Sequence, residues 1–250
     1  MKVKKGIILA AGKGTRLRPL TTSIPKAMLP VVNKPVIDYI IEEALASGLT
    51  EIAVVCNYQK EVLYHYLKDR PYIHFIEQPN FGGTALALKS AIDFIDGEDF
   101  SLFLGDEIVT SLSTPCMAQL LSVFYHYQQQ KVITGIESVS KELLKEYNVL
   151  SIDRTEVSRI AFIKDIIEKP TTDSELHSSY TSIGRYVIPH TITPYLSDLE
   201  VDAASEIPLT SYFKKLTTTE EFIGYYFDGE RYDIGSIDKW MNTNIQLHKK

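Results

Sequence analysis

Residues 9–29, LAAGKGTRLRPLTTSIPKAML, gather side chains and backbone suited to holding phosphate. Gly12 and Gly14 follow an apolar run, so successive backbone N–H groups can approach phosphate oxygens or a base edge. Arg16, Arg18 and Lys26 add cations to the same short segment, and Pro19 and Pro25 stiffen it. The string Gly12-Lys13-Gly14-Thr15 also invites comparison with the nucleotide loop of kinases. It fails where that loop is shaped: a Walker A motif needs glycine where Ile7 stands and a hydroxyl where Gly14 stands. A dinucleotide fingerprint fails too, because Leu17 occupies its third glycine position. What remains is a cationic, glycine-bearing loop for a phosphate ligand.

Such a loop needs a scaffold, and the first 110 residues alternate strand-like and helix-like stretches. Residues 6–10 read as a buried strand. Residues 36–47 place Val36, Ile37, Ile40, Ile41, Ala44 and Leu45 on one helical stripe that Gly48 stops. EIAVVC reads as strand, EVLYHYLKD as helix, Tyr72 to Ile76 as strand, TALALKSAIDFI as helix and Phe100 to Leu104 as strand. This alternation predicts an α/β fold with a doubly wound, mostly parallel sheet, whose ligands gather at the carboxyl ends of the strands. Asp106 lies just past one such end. The second half is less regular, with strand-like KVITGIESV, NVLSI, RIAFIKDIIEKP and SIGRYVI, short helical pieces, and a last helix from about Ile237. Gln128 to Gln130 read as a solvated helix face.

Composition narrows the function classes. The chain of 250 residues is 44% hydrophobic and 23% charged, so a packed globular core is expected rather than disorder. With a formal net charge of -6 there is no global basic field for nucleic acid or an anionic membrane, and any phosphate must be met by local cations. The apolar run from Ile7 to Ala11 is too short for a membrane span or a signal sequence. Cys56 and Cys116 are the only cysteines, which gives no disulfide framework, and the histidines form no metal-ligand spacing. The expectation is a cytoplasmic protein with small-molecule partners and neither nucleic acid nor membrane; a homo-oligomer stays open.

The loop extends into a longer pattern, A-A-G-x-G-T-R-L-x-P-L-T followed by P-K-A-M-L-P and K-P-V-I, over Ala10 to Ile37. Further blocks follow in order: EQPNFGGTALAL, LGDEI, IIEKP, SIGRYVI, SEIPLTSYF and YDIGSIDKW. Together they resemble the sugar-1-phosphate nucleotidyltransferases across nearly the whole chain, and the later blocks are most similar to the bacterial UTP-glucose-1-phosphate uridylyltransferases. The resemblance implies a single nucleotidyltransferase domain over residues 1–250 with a Rossmann-like, mixed, mostly parallel sheet and helices on both faces. A nucleotide-binding half would span about residues 1–110, and a small sugar-binding subregion would fill the rest. It also implies transfer of a nucleotidyl group to a sugar 1-phosphate with release of pyrophosphate; the helical insertion usual in the family after the second strand and a left-handed β-helix tail are not expected in this chain.

Site residues follow from the matching positions. The resemblance implies that Ala11, Gly12, Gly14, Gln78 and Gly83 meet the nucleotide, with Gly83 leaving room for it. Arg16 would hold the β- and γ-phosphates, Lys26 the α-phosphate, and Lys169 the sugar phosphate, as catalytic cations. Glu168 would accept hydrogen bonds from sugar hydroxyls, and Asn148 would contact the sugar through a left-handed backbone. Asp106 and Asp233 would hold Mg2+ together with substrate phosphates. Asn148, Ala27 and the GTALAL segment depart from the family pattern at positions that bear on sugar and base choice. A thymidylyltransferase, another NDP-sugar pyrophosphorylase and a catalytically silent regulatory subunit are therefore the alternatives to a uridylyltransferase.

Overall fold

The computed structural model describes residues 2–79, 81–154, 159–197, 206–214, 216–217 and 222–249; of the sequence blocks quoted above, Asn80 and Ser205 lie outside these. The first half runs β1 (Lys5–Leu9), β2 (Pro30–Val31), β3 (Lys34–Pro35), α1 (Val36–Ala46), β4 (Glu51–Cys56), α2 (Lys60–Leu67), β5 (Ile73–Glu77), α3 (Gly83–Lys89), α4 (Ile92–Ile95) and β6 (Phe100–Leu104). The second half runs β7 (Glu107–Thr110), α5 (Cys116–His126), β8 (Val132–Ser138), α6 (Lys141–Leu144), β9 (Asn148–Arg154), β10 (Ile160–Glu168), β11 (Tyr180–Ile188), α7 (Thr193–Ser197), α8 (Leu209–Lys214), β12 (Phe222–Tyr226), β13 (Glu230–Asp233) and α9 (Ile237–His248).

A nine-stranded sheet in the order β5-β4-β1-β6-β11-β8-β12-β10-β9 spans the molecule. Its first four strands are parallel, as the βαβα alternation predicts. From β11 onward the directions mix: β11 is antiparallel to both neighbours, β12 is parallel to β8, and β10 is antiparallel to β12 and β9. Side chains alternate across the pleat. Ile8, Ile52, Val54 and Phe103 face α1, α2 and α5, while Ile7, Leu9, Val55 and Leu102 face α3, α4, α7 and α8. Helices therefore cover both faces of the sheet, and both strand faces are apolar for that reason.

Four details differ from the sequence reading. Leu45 leaves the α1 stripe and is 37% exposed, because the buried face is completed by Val36, Ile37, Ile40, Ile41 and Ala44. TALALKSAIDFI is broken at Ser90 and Ala91 into α3 and α4. The glutamine run is a turn and not a helix face: α5 ends at His126, and Gln128 and Gln129 take φ of 56° and 61° to reverse the chain. Finally, β7 pairs with β13 in a separate two-stranded ladder that the sequence pattern did not signal.

Candidate active site

The strand β1 delivers the loop. Ala10 still bonds across to Val55, and the chain then turns at Gly14, where φ is +61°. A Cβ there would lie 2.9 Å from the Thr21 methyl and 3.3 Å from Lys26 Cβ, so the absence of a side chain lets the two ends of the loop pack together. The Thr21 hydroxyl donates to the Gly14 carbonyl at 2.7 Å and the buried Leu17 anchors the following turn. Lys26 is thereby held beside Gly14, although twelve positions separate them (26 − 14 = 12).

A cavity of about 450 Å³, within the range of small-molecule sites, opens over this loop and the carboxyl ends of β1 and β6. Ala11, Gly12, Gly14, Arg16 and Lys26 line it from one side. Gln78, Gly83, Asp106 and Lys169 line it from the others. Arg18, in contrast, lines neither this cavity nor its neighbour and is exposed.

Gln78 is 4% exposed, and its backbone is fixed by Cys56 and by the Asn57 amide. Its Nε2 nevertheless has no hydrogen-bond partner among the described residues. A buried donor left unsatisfied costs stability, which a ligand acceptor in the cavity would restore. Gly83 takes φ +86°, and a Cβ on it would meet the Ile207 carbonyl oxygen at 2.5 Å and nitrogen at 2.7 Å. The fold itself therefore requires glycine here, since Ile207 bonds Gly82 and Ala85 on either side, and Gly83 also lines the cavity expected to take the nucleotide.

A second cavity, about 220 Å³, adjoins the first and shares Arg16, Asp106 and Lys169 with it. Asn148, Glu168 and Asp233 line it as well. Glu168 closes β10, and its carboxylate accepts a hydrogen bond from Thr210 at 2.8 Å. Lys169 turns away with φ +43°, its N–H donating to the Tyr147 carbonyl at 2.7 Å. Asn148 does not take the expected left-handed backbone: it opens β9 opposite Glu168, and its side-chain oxygen accepts from the Ser182 N–H at 3.0 Å. The strand pairing dictates the extended conformation, and the locked amide puts a side chain in the cavity wall.

The β7–β13 ladder sets the two aspartates side by side despite their separation of 233 − 106 = 127 positions, because Ile234 N–H donates to the Asp106 carbonyl and Asp233 pairs with Glu107. Asp106 carries Lys26 Nζ at 2.5 Å. Asp233 is held at both oxygens, by Gly235 N–H at 2.6 Å on one and by Tyr147 OH at 2.8 Å and Lys239 Nζ at 2.7 Å on the other. Burial alone would raise its pKa, but Lys239, the Tyr147 hydroxyl and the charge of Lys26 outweigh that and hold it below the usual aspartate value. Among the described residues no cluster of three or more His, Cys, Asp or Glu could hold a metal ion. Two hard carboxylates beside a cationic, glycine-bearing loop suit Mg2+, which takes a few protein oxygens and completes its shell from water and substrate.

Sequence reasoning missed the groups behind these aspartates. Glu107 receives the Gly184 N–H at 2.7 Å and Arg231 at 3.2 Å; burial pushes its pKa up, Arg231 opposes this, and Asp106 and Asp233 add to the rise. Arg231 also binds Glu137 at 2.5 Å and stacks 4.1 Å from the Tyr147 ring centre. Tyr147 is pushed up to about 12, first by burial and then by Asp233. One signal was available: Arg231 and Asp233 are two apart on a strand and so share a face. Arg185 is wholly buried against Glu43 at 2.8 Å and donates to the Glu107 carbonyl, which makes the SIGRYVI block a structural brace under the site.

The family model described as nucleotidyl transferase matches residues 5–250. The chain belongs to that family. Among curated relatives, the UTP–glucose-1-phosphate uridylyltransferase of Bacillus subtilis (strain 168) is 33% identical over 271 residues, covering 98% of this chain and 91% of that protein. The enzyme of the same name from Staphylococcus epidermidis (strain RP62A) is 32% identical over 274 residues, covering 100% and 93%. A crystal structure of UDP-glucose pyrophosphorylase complexed with UDP-glucose superposes with TM-score 0.89 at 30% identity, covering 99% of each chain. The family fold thus extends over the full nine-stranded sheet, and no helix of the described residues is long and apolar enough to cross a membrane.

Proposed function

We propose that this nucleotidyl transferase moves a uridylyl group from UTP to glucose 1-phosphate, giving UDP-glucose and pyrophosphate. The observation that carries the reading is the junction of the two cavities at Arg16, Asp106 and Lys169, where a nucleotide in one and a sugar phosphate in the other would meet among phosphate-binding groups. The base and the sugar are taken from the relatives named for UTP, glucose 1-phosphate and UDP-glucose. The whole chain acts as one domain, with the nucleotide in its first half and the sugar in its second, in the cytoplasm.

The sugar phosphate is already ionised at neutral pH, because the second pKa of a phosphate monoester is about 6. No general base is needed. A glucose 1-phosphate oxygen forms the new bond to the α-phosphorus, and the bond from that phosphorus to the β-bridging oxygen breaks, releasing pyrophosphate. Catalysis then rests on positioning and on neutralising charge. Ala11, Gly12 and Gln78 orient the base, Arg16 grips the outer phosphates, Lys26 faces the α-phosphate, Lys169 holds the sugar phosphate and Glu168 takes sugar hydroxyls. Gly14 shapes the loop that presents these cations, Gly83 the segment beside Gln78, and Asn148 walls the sugar cavity. Mg2+ held by Asp106 and Asp233 supplies further neutralisation of the phosphates when bound.

Pyrophosphate release across a panel of nucleoside triphosphates and sugar 1-phosphates tests this reading. UTP with glucose 1-phosphate should give the highest turnover. A clear preference for dTTP would shift the assignment to a thymidylyltransferase, and no release with any pair would leave a silent family member.

A further inference from the structure

Each carboxylate assigned to the divalent cation already holds an ammonium of the protein: Lys26 Nζ lies 2.5 Å from Asp106 and Lys239 Nζ lies 2.7 Å from Asp233. The two lysines are not equivalent. Lys239 is tied into a closed network, with Glu146 at 2.7 Å and Tyr147 OH at 3.0 Å as further partners. Lys26 is not, and among the described residues its ammonium bonds Asp106 alone. Its side chain is 13% exposed and that of Asp106 37%, so the pair is partly shielded from solvent and screening. Lys26 also belongs to the loop that presents Gly14 and Arg16, and it lines the same cavity as they do.

We infer that the two-aspartate site takes its divalent cation only as the cation–nucleotide complex, because in the free protein the Lys26 ammonium stands on Asp106 where a bare cation would bind. The inference deepens the reading of Asp106 and Asp233 as cation ligands and rests on it. The ammonium of Lys26 offsets the charge of Asp106, so a free divalent cation meets a like charge at the oxygen it needs. A triphosphate changes both conditions. It offers Lys26 a more strongly charged partner than one carboxylate, and it adds the phosphate oxygens with which magnesium completes its shell. Nucleotide and cation must then raise each other's affinity by the same factor. Lys26 thereby has two successive partners, Asp106 before the substrate arrives and the triphosphate afterwards.

The test measures binding rather than turnover. Mn2+ is titrated into wild type, K26M, K26R, D106N and the K26M/D106N double variant without sugar phosphate, and bound metal is read from the loss of the free-ion paramagnetic resonance signal. The expected result is that K26M binds Mn2+ alone at least about tenfold more tightly than wild type, the order of one close charge–charge contact at a partly exposed site. K26R, which keeps the charge, should stay near wild type, and the double variant should lose the gain. The Mn2+–UTP complex should bind wild type well and D106N poorly. Equal or weaker Mn2+ binding by K26M, with Mn2+–UTP still dependent on Asp106, would overturn the inference and leave the cation site in place. Undiminished Mn2+–UTP binding by D106N would overturn the cation assignment itself, and the inference with it.

Discussion

Replacing Gln78 by Met separates a ligand contact from a structural one. The two side chains are similar in length, so the swap removes the amide while filling much the same space. In the free protein Gln78 is 4% exposed and its Nε2 donor has no partner among the described residues. An unsatisfied buried donor costs about 1–3 kcal/mol, so its removal should leave stability unchanged or slightly raised. If the same donor bonds a base carbonyl in the complex, the variant should lose about 1–3 kcal/mol of binding, a factor of roughly 5 to 150 in affinity. Differential scanning calorimetry and initial rates over UTP concentration read the two quantities. The expected pattern is an unchanged or higher Tm, a higher KM for UTP and a kcat close to wild type, since the base is bound equally in ground and transition states. A lower Tm with unchanged KM would refute the base contact and assign the amide an internal role.

Three further substitutions probe the surrounding groups. Gly83→Ala should destabilise the fold by about 3–4 kcal/mol, from backbone strain at positive φ and the loss of two hydrogen bonds around Ile207, and should lower Tm by about 6–16 °C; unchanged Tm with a raised KM would restore the nucleotide as the reason for glycine. Asp106→Asn and Asp233→Asn should each demand far more magnesium and remove most turnover, while the double variant should be impaired much less than the product of the single effects; multiplicative losses in magnesium titrations would contradict a shared cation. Because the Asp233 pKa is held below its ordinary value of 3.8, the stability that its ionised form contributes is fully present above pH 3.8 and lost as pH falls through the lower folded value. The Tm difference between wild type and Asp233→Asn should accordingly be constant at neutral pH and shrink only in strong acid; shrinkage already at pH 6 would mean that the carboxylate is not held ionised.

Local pattern carried the first half of the fold well. The β1 to β6 alternation and the buried α1 stripe follow from periodicity, and the parallel order follows from helices lying between strands. Two of the failures were local in origin. No glycine or proline marks the end of α5, so Gln128 and Gln129 looked helical although they adopt positive φ. Leu45 extends the apolar stripe in sequence, yet the turn at Gly48 leaves it at the rim. At the candidate site, the loop residues were legible because glycines, cations and prolines cluster within a few positions. The groups that steady Asp233 were not. Tyr147 and Asp233 are 86 positions apart, and only the pairing of β7 with β13 and the seating of α9 bring Tyr147, Lys239 and Asp233 together.

Phosphorus NMR of the products, with glucose 1-phosphate carrying 18O in its phosphate, tests the central claim most directly. With UTP and Mg2+, direct attack of the sugar phosphate on the α-phosphorus predicts that all the label appears in UDP-glucose, on the sugar-linked phosphorus and its bridge to the uridylyl phosphorus, while pyrophosphate is unlabelled. Label in pyrophosphate, or pyrophosphate formed without a matching amount of UDP-glucose, would contradict it.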